Sequence, residues 1–215
     1  MRASSVVILA AAFSYIHREG ILLIFLKHIE KAVFLAPQEA FISYLKLSFF
    51  TGLILASPVV IYEIWAFVRS AMKPVEKKYA AAYGASSLLL FLSGAAVGYF
   101  AGLPIAIDFL LGFAGEGLAP MISVERYINF CGALILAFAV LFELPLIVLF
   151  MTGAGFITPR QLSSSRRYVI VGIFVAAALL SPPDVFTQVL LAVPLWALFE
   201  ISLLLAKFVK YRRRA

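Results

Sequence analysis

Apolar residues along this chain fall in long runs rather than in strict alternation, which predicts helices rather than strands. The first run covers residues 6–16. Further runs cover 41–61, 82–103, 128–152, 168–180 and 185–206, each read as a membrane-crossing helix. Residues 17–40 differ. Leu22, Phe25, Leu26, Ile29 and Val33 recur at helical spacing, and Arg18, Glu19, Lys27, Glu30 and Lys31 fill other positions. That pattern predicts an external amphipathic helix, lying on the membrane surface or packed on other helices. Arg2 followed by the apolar stretch 6–12 also fits a cleaved signal peptide.

The breaks in the pattern shape the expected fold. Pro58, Pro145 and Pro194 lie inside apolar runs, where a missing backbone donor bends a helix. The run 168–180 is only about 20 Å long as a helix, short for a bilayer core of about 30 Å. Ser181-Pro182-Pro183-Asp184 then breaks the chain sharply before the last run. Gly94, Gly98 and Gly102 form a stripe that lets another helix approach. Lys46, near the start of its run, is expected to snorkel to the interface. The expected fold is an all-α integral membrane protein, one polytopic domain over 1–215. It has six transmembrane helices, bent by proline, the last two short or bent.

Composition agrees. The chain is 64% hydrophobic and 13% charged, outside the range of soluble domains. Its net charge of +7 is a topology signal, because 13 of the 18 Lys and Arg residues fall in Arg2, 62–79, 153–167 and the tail. Putting those segments in the cytoplasm leaves both termini inside. The charge then serves orientation and attraction to anionic lipid, and nucleic acid is not an expected partner. The lone Cys131 makes no internal disulfide, and His17 and His28 sit in one polar-flanked segment. No metal and no cofactor are expected.

One residue stands apart. Glu143 interrupts the run 128–152 within about 5 Å of its centre. A carboxylate at that depth costs about 2.5 kcal/mol or more. Its expected surroundings are a polar cavity, a partner protein or a bound peptide. Glu200 falls at a similar depth in the last run and is expected to line the same cavity. A small secondary transporter using Glu143 as a proton or ion relay is the rival reading, although the two halves show no convincing repeat. An intramembrane enzyme is not expected. There is no His-Glu-x-x-His, and Gly84-Ala85-Ser86-Ser87 has no histidine at membrane depth as its base.

Several segments in order resemble one family. They are Ala56-Ser57-Pro58-Val59-Val60-Ile61-Tyr62-Glu63-Ile64-Trp65-Ala66-Phe67, then Phe142-Glu143-Leu144-Pro145, then Arg166-Arg167-Tyr168, then Leu180-Ser181-Pro182-Pro183-Asp184-Val185-Phe186-Thr187-Gln188, and Leu198-Phe199-Glu200. Together they look like TatC, the multi-spanning receptor of the twin-arginine protein translocase. The resemblance implies six helices in a concave arrangement and no catalytic chemistry. It implies binding of twin-arginine signal peptides on folded cargo, assembly with the single-span TatA and TatB, and self-association in the complex. It further implies transport driven by the protonmotive force and a place in the bacterial inner membrane.

Residue by residue, the family's acidic signal-peptide position matches Glu76, with Phe67 in the same cytoplasmic segment. Its transmembrane glutamate matches Glu143. Its polar partner-docking positions match Gln188 and Glu200, and its Pro-Pro-Asp turn matches Pro182, Pro183 and Asp184. Two departures stand out. The family's N-terminal Ser-Phe-x-Glu-x-Leu-Arg segment has no counterpart in Met1-Arg2-Ala3-Ser4-Ser5, so either the start is truncated or signal-peptide binding is weakened. Arg69-Ser70 stands where the family commonly has Ala-Pro, an unhelpful charge beside an arginine site.

Overall fold

Inside a bilayer no water is available to backbone amides, so a spanning chain must close its hydrogen bonds within itself. A computed structural model describes residues 2–29, 32–72, 77, 80–112, 121–180 and 185–212, and almost every described element in it is helical. Three helical segments among them are long and apolar enough to cross a membrane: Glu39–Ser70, Ala80–Gly112 and Val124–Gly153. A pair bent by 78°, Ala3–Ile16 with Arg18–Leu26, is long and apolar enough only when its two helices are taken together. The protein is an all-α membrane protein. It folds as two compact units, residues 1–60 with 95–138 and residues 61–94 with 139–215.

The first unit opens with α1 (Arg2–Ile16) and α2 (Arg18–Leu26), which meet at His17. The amphipathic helix expected over 17–40 therefore ends much earlier, at Leu26. The helical spacing of Ile29 and Val33 is coincidental, because Ala32–Val33 form a short strand, β1, paired in parallel with β2, Ile122–Ser123. Glu30 and Lys31 lie outside the described residues. The end of α2 leaves carbonyls without helical donors. Two tyrosines distant in sequence supply them: Tyr99 Oη donates to the Ile24 carbonyl at 2.9 Å, and Tyr127 Oη to the Phe25 carbonyl at 2.7 Å.

The next helix, α3 (Glu39–Ala71), contains Pro58 and runs well past the expected end at 61. Glu39 sits in its first turn, where a carboxylate suits the helix dipole. Its Oε2 accepts from the Leu35 amide at 2.8 Å and its Oε1 from Ser123 Oγ at 3.2 Å, which ties the helix start to β2. Lys46, expected only to snorkel, reaches Glu125 Oε1 at 2.7 Å. Both ends of that pair are partly exposed, so the contact is worth about 1 kcal/mol or less.

After α4 (Ala80–Val97) comes a π-helical turn, Gly98–Gly102, and then α5 (Leu103–Gly112). The span expected from sequence ends at 103. Instead the helix continues to Gly112. Pro104 lacks an N–H, and the π turn absorbs the mismatch: Leu103 donates to Gly98. Pro104 then falls in the first turn of α5, where no donor is missed. Gly98 and Gly102 face the ring of Phe138 in α6 (Val124–Leu141). A Cβ at Gly102 would stand 2.8 Å from that ring, so the glycine stripe does serve close approach. Leu47, Leu103, Ile128, Cys131 and Leu134 make up the buried centre of this unit.

In the second unit α7 (Leu144–Gly153) follows α6 after a two-residue break, then come α8 (Pro159–Ser164), α9 (Arg166–Leu180) and α10 (Val185–Arg212). Thr158 and Gln161 form a reciprocal capping box at the start of α8. With 15 residues, α9 is about 22 Å long, shorter than a spanning helix needs. With 28 residues, α10 runs past the expected end at 206 and carries Pro194 in its interior. It packs chiefly on α7 and then on α9. Leu191, Leu195, Phe199 and Leu203 line its buried face, with Ile173 and Ala177 buried on α9.

A close approach of backbone to backbone in the first unit is between Gly52 of α3 and Ala11 of α1, where a Cβ would lie 2.6 Å from the Ala11 backbone. Backbone cannot rotate away as a side chain can. Gly52→Ala is expected to destabilise the protein by about 1–3 kcal/mol. Gly20→Ala, with open space at its Cβ, is expected to be neutral or slightly stabilising. Thermal unfolding of the two variants in detergent checks the difference.

Candidate binding site around Glu143

The site begins with a proline. Pro145 lacks the amide that would donate to the Leu141 carbonyl, and its ring crowds that carbonyl, so α6 stops at Leu141 and α7 starts afresh at Leu144. Between them the Glu143 amide donates to the Val140 carbonyl at 3.1 Å, a tighter turn than an α-helix. Glu143 is therefore the residue just before a new helix, and its carbonyl accepts from Leu146 and Ile147. A carboxyl in an apolar run coincides with the point where the helix is broken.

The side chain is half-buried. Ser87 of α4, only 4% exposed, places its Oγ 2.8 Å from both carboxyl oxygens. A serine has one proton, whereas a carboxylate has about four acceptor positions. Most of the acceptor capacity of Glu143 thus stays open to another donor. From Glu143 to the end of α7 is about 15 Å along the helix, and from Ser87 back to the start of α4 about 10 Å, so the pair lies well inside its spans. Sequence reading found Glu143 but not its partner. The only signal for Ser87 is a hydroxyl in an apolar run.

The same unit holds an aromatic cluster that the sequence did not reveal. Trp65 of α3 stacks on Tyr83 of α4, with ring centres 5.3 Å apart and planes 8° from parallel. Phe150 of α7 meets both edge-on, at 5.5 and 5.9 Å. Gly84 faces Trp65 at ordinary contact distance, leaving room for the indole. These rings fix α3, α4 and α7 together, which positions Ser87 against Glu143.

The other expected site residues are more dispersed. Glu200 on α10 does not share the partner of Glu143. It accepts from Arg166, the first residue of α9, at 2.8 Å. That pairing ties α10 to the start of α9. Gln188 donates through Nε2 to the Phe174 carbonyl at 3.0 Å, a contact from α10 to α9. Phe67 lies near the end of α3 and is 79% exposed. Pro58 is inside α3 and Pro145 opens α7. Glu76, Pro182, Pro183 and Asp184 lie outside the described residues. No cluster of His, Cys, Asp and Glu suited to a metal occurs among the described residues.

Comparison with known proteins places this geometry. A family model described as Sec-independent protein translocase protein (TatC) matches residues 1–194. The chain is 40% identical over 178 residues to the Sec-independent protein translocase protein TatC of Desulforapulum autotrophicum, covering 83% of this chain and 66% of that protein. It is 42% identical over 182 residues to the protein of the same name from Aquifex aeolicus, covering 84% and 75%. For the Escherichia coli K12 protein the figures are 40% over 168 residues, 78% and 65%. The chain thus spans between about two thirds and three quarters of the length of these relatives. A crystal structure of the twin-arginine translocase receptor TatC in DDM matches with a TM-score of 0.88 at 36% identity, covering 95% of this chain and 94% of that one. On sequence and on structure alike, this chain belongs to the TatC family.

Proposed function

We propose that this chain is the signal-peptide receptor and core subunit of a twin-arginine translocase. It binds the twin-arginine signal peptides of folded proteins and organises single-span TatA and TatB partners for export driven by the protonmotive force. In this reading it crosses the bacterial inner membrane six times, with both termini cytoplasmic, and carries no catalytic site. The observation that supports it most is Glu143: a half-buried carboxyl at a helix break, held by one neutral hydroxyl and with acceptor capacity to spare. In hydrocarbon such a group is retained where another polar chain meets it. The membership in TatC indicates which kind of chain that is.

Two sites divide the work in this proposal. Glu76 and Phe67 receive the signal peptide at the cytoplasmic side. A carboxylate there matches the planar donor fork of arginine, and an exposed phenyl ring suits the apolar part of the peptide. Glu143, Gln188 and Glu200 serve the intramembrane contacts. Among these, Glu143 has the most unused acceptor capacity, because Glu200 is already paired with Arg166 and Gln188 already donates to α9.

Export of a twin-arginine reporter, measured beside the amount of inserted protein, tests the intramembrane role. Glu143→Ala is expected to lower export about tenfold or more, as the loss of one charge-assisted contact would, with abundance little changed. A parallel fall in abundance makes the role structural. For the cytoplasmic site, Glu76→Ala is expected to weaken crosslinking to a twin-arginine peptide by about tenfold, and unchanged crosslinking removes Glu76 from the site. Solute or proton flux through vesicles holding the purified chain alone would favour the transporter reading instead.

A further inference from the structure

A hydroxyl inside a membrane helix commonly returns its proton to that helix. Ser48, Thr51, Ser70, Ser93 and Ser202 follow the habit: each donates to a carbonyl three or four residues earlier. Ser87 departs from it. Its hydroxyl crosses from α4 to the carboxyl of Glu143 and stands 2.8 Å from both oxygens. Ser87 is also only 4% exposed, so the contact is made inside the protein.

The surroundings hold that contact in place. Tyr83 lies one turn before Ser87 on the same face of α4 and stacks on Trp65 of α3. Phe150 of α7 meets both rings, and α7 is the helix that starts beside Glu143. The hydroxyl and the carboxyl are thus carried by helices that the aromatic cluster joins.

The geometry of the contact has a chemical consequence. Equal distances put the Ser87 oxygen on the bisector of the carboxyl, in front of both oxygens. A guanidinium takes that same place when it donates two parallel bonds to a carboxylate. Each carboxyl oxygen keeps a further acceptor position on its outer side. The two outer positions point away from each other, so no planar fork reaches both. A group that gives a single bond needs only one of them.

We propose that Ser87 is a specificity-determining residue of the Glu143 site. It closes the two-pronged side of the carboxyl and leaves the outer positions to a side chain that donates one bond. The visitor it selects is an amide, a hydroxyl or an ammonium on a membrane-inserted helix, and the group it disfavours is a guanidinium. This rests on the reading of Glu143 as a contact for another chain. Within that reading, a two-pronged bond to arginine is left to the cytoplasmic site.

The test uses the full chain purified into lipid nanodiscs and three synthetic apolar membrane helices that differ only in a central Gln, Lys or Arg. Energy transfer between dyes on chain and helix reads the affinity. Lys and Arg carry the same charge, but only Arg has a fork. On the native chain the Arg helix is expected to bind no tighter than the Lys helix. In Ser87→Ala it is expected to gain about tenfold over the Lys helix, as one more charge-assisted bond would give. Alanine is the better helix former, so α4 is kept. Ser87→Thr, which retains the hydroxyl, is expected to keep the native ratio. An unchanged ratio in Ser87→Ala overturns the proposal, as does a tenfold preference for Arg already present in the native chain. Glu143→Ala separates this inference from the reading beneath it, and is expected to weaken binding of the Gln helix about fivefold. If that loss is seen while Ser87→Ala leaves the ratio unchanged, only the role of Ser87 falls. If Glu143→Ala binds all three helices as the native chain does, the contact at Glu143 falls with it.

Discussion

The structure depends on one demand of the bilayer: a polar group that loses its helical partner must find another inside the protein. Several irregularities in the fold illustrate it. The orphan carbonyls at the end of α2 are met by the hydroxyls of Tyr99 and Tyr127. The amide of Leu35, ahead of α3, is met by Glu39. The carbonyl of Phe174 takes an extra donor from Gln188. Where Pro145 breaks the long span, Ser87 comes to the half-buried carboxyl of Glu143. Pro104 is accommodated without a side chain, by the shift to π-helical bonding before it. These polar groups thus find partners or a changed helix, and several of the contacts connect elements far apart in the chain.

Those repairs also decide how the helices associate. Lipid tails are as apolar as leucine, so no hydrophobic drive pulls spanning helices together. Close packing and polar pins do the work. Gly52 against Ala11 and Gly102 against Phe138 provide the first. Lys46 with Glu125 and Arg166 with Glu200 provide the second, at partly exposed positions where screening limits each to about 1 kcal/mol. The aromatic cluster of Trp65, Tyr83 and Phe150 adds pairs worth roughly 0.5–1.5 kcal/mol each. Many small contacts, rather than one dominant core, hold each unit.

Glu143 was legible in the sequence because a carboxylate in an apolar run has no innocent explanation. The helical class was legible for the same reason: run length and composition leave few alternatives. Ser87 was not, since serine in Gly84-Ala85-Ser86-Ser87 reads equally well as a small packing residue. The early end of α2 was hidden because its apolar spacing continues past Leu26, while the tyrosines that close it lie over 70 residues away. Pro104 directly follows the apolar run 82–103, and the helix passes it by way of the π turn before it. The pairing of Glu200 with Arg166 was hidden because the two lie 34 residues apart, on different helices. Local rules fail at the points where a distant partner completes the hydrogen bonding.

The two acids of the second unit show why one of them is the better candidate for recognition. Glu200 faces a guanidinium, so its charge is compensated and its best acceptor position is filled. A visiting donor there must displace Arg166 and leave that cation in need of a new partner. Glu143 faces a hydroxyl, which carries no net charge and supplies one proton to two oxygens. A visiting donor displaces nothing and adds an interaction that the resting protein lacks. Proximity to the break at Pro145 strengthens the case, since the turn presents the carboxyl where neither α6 nor α7 covers it completely. The free energy available to an incoming polar group is therefore larger at Glu143 than at Glu200, although the bare sequence gives the two acids equal standing.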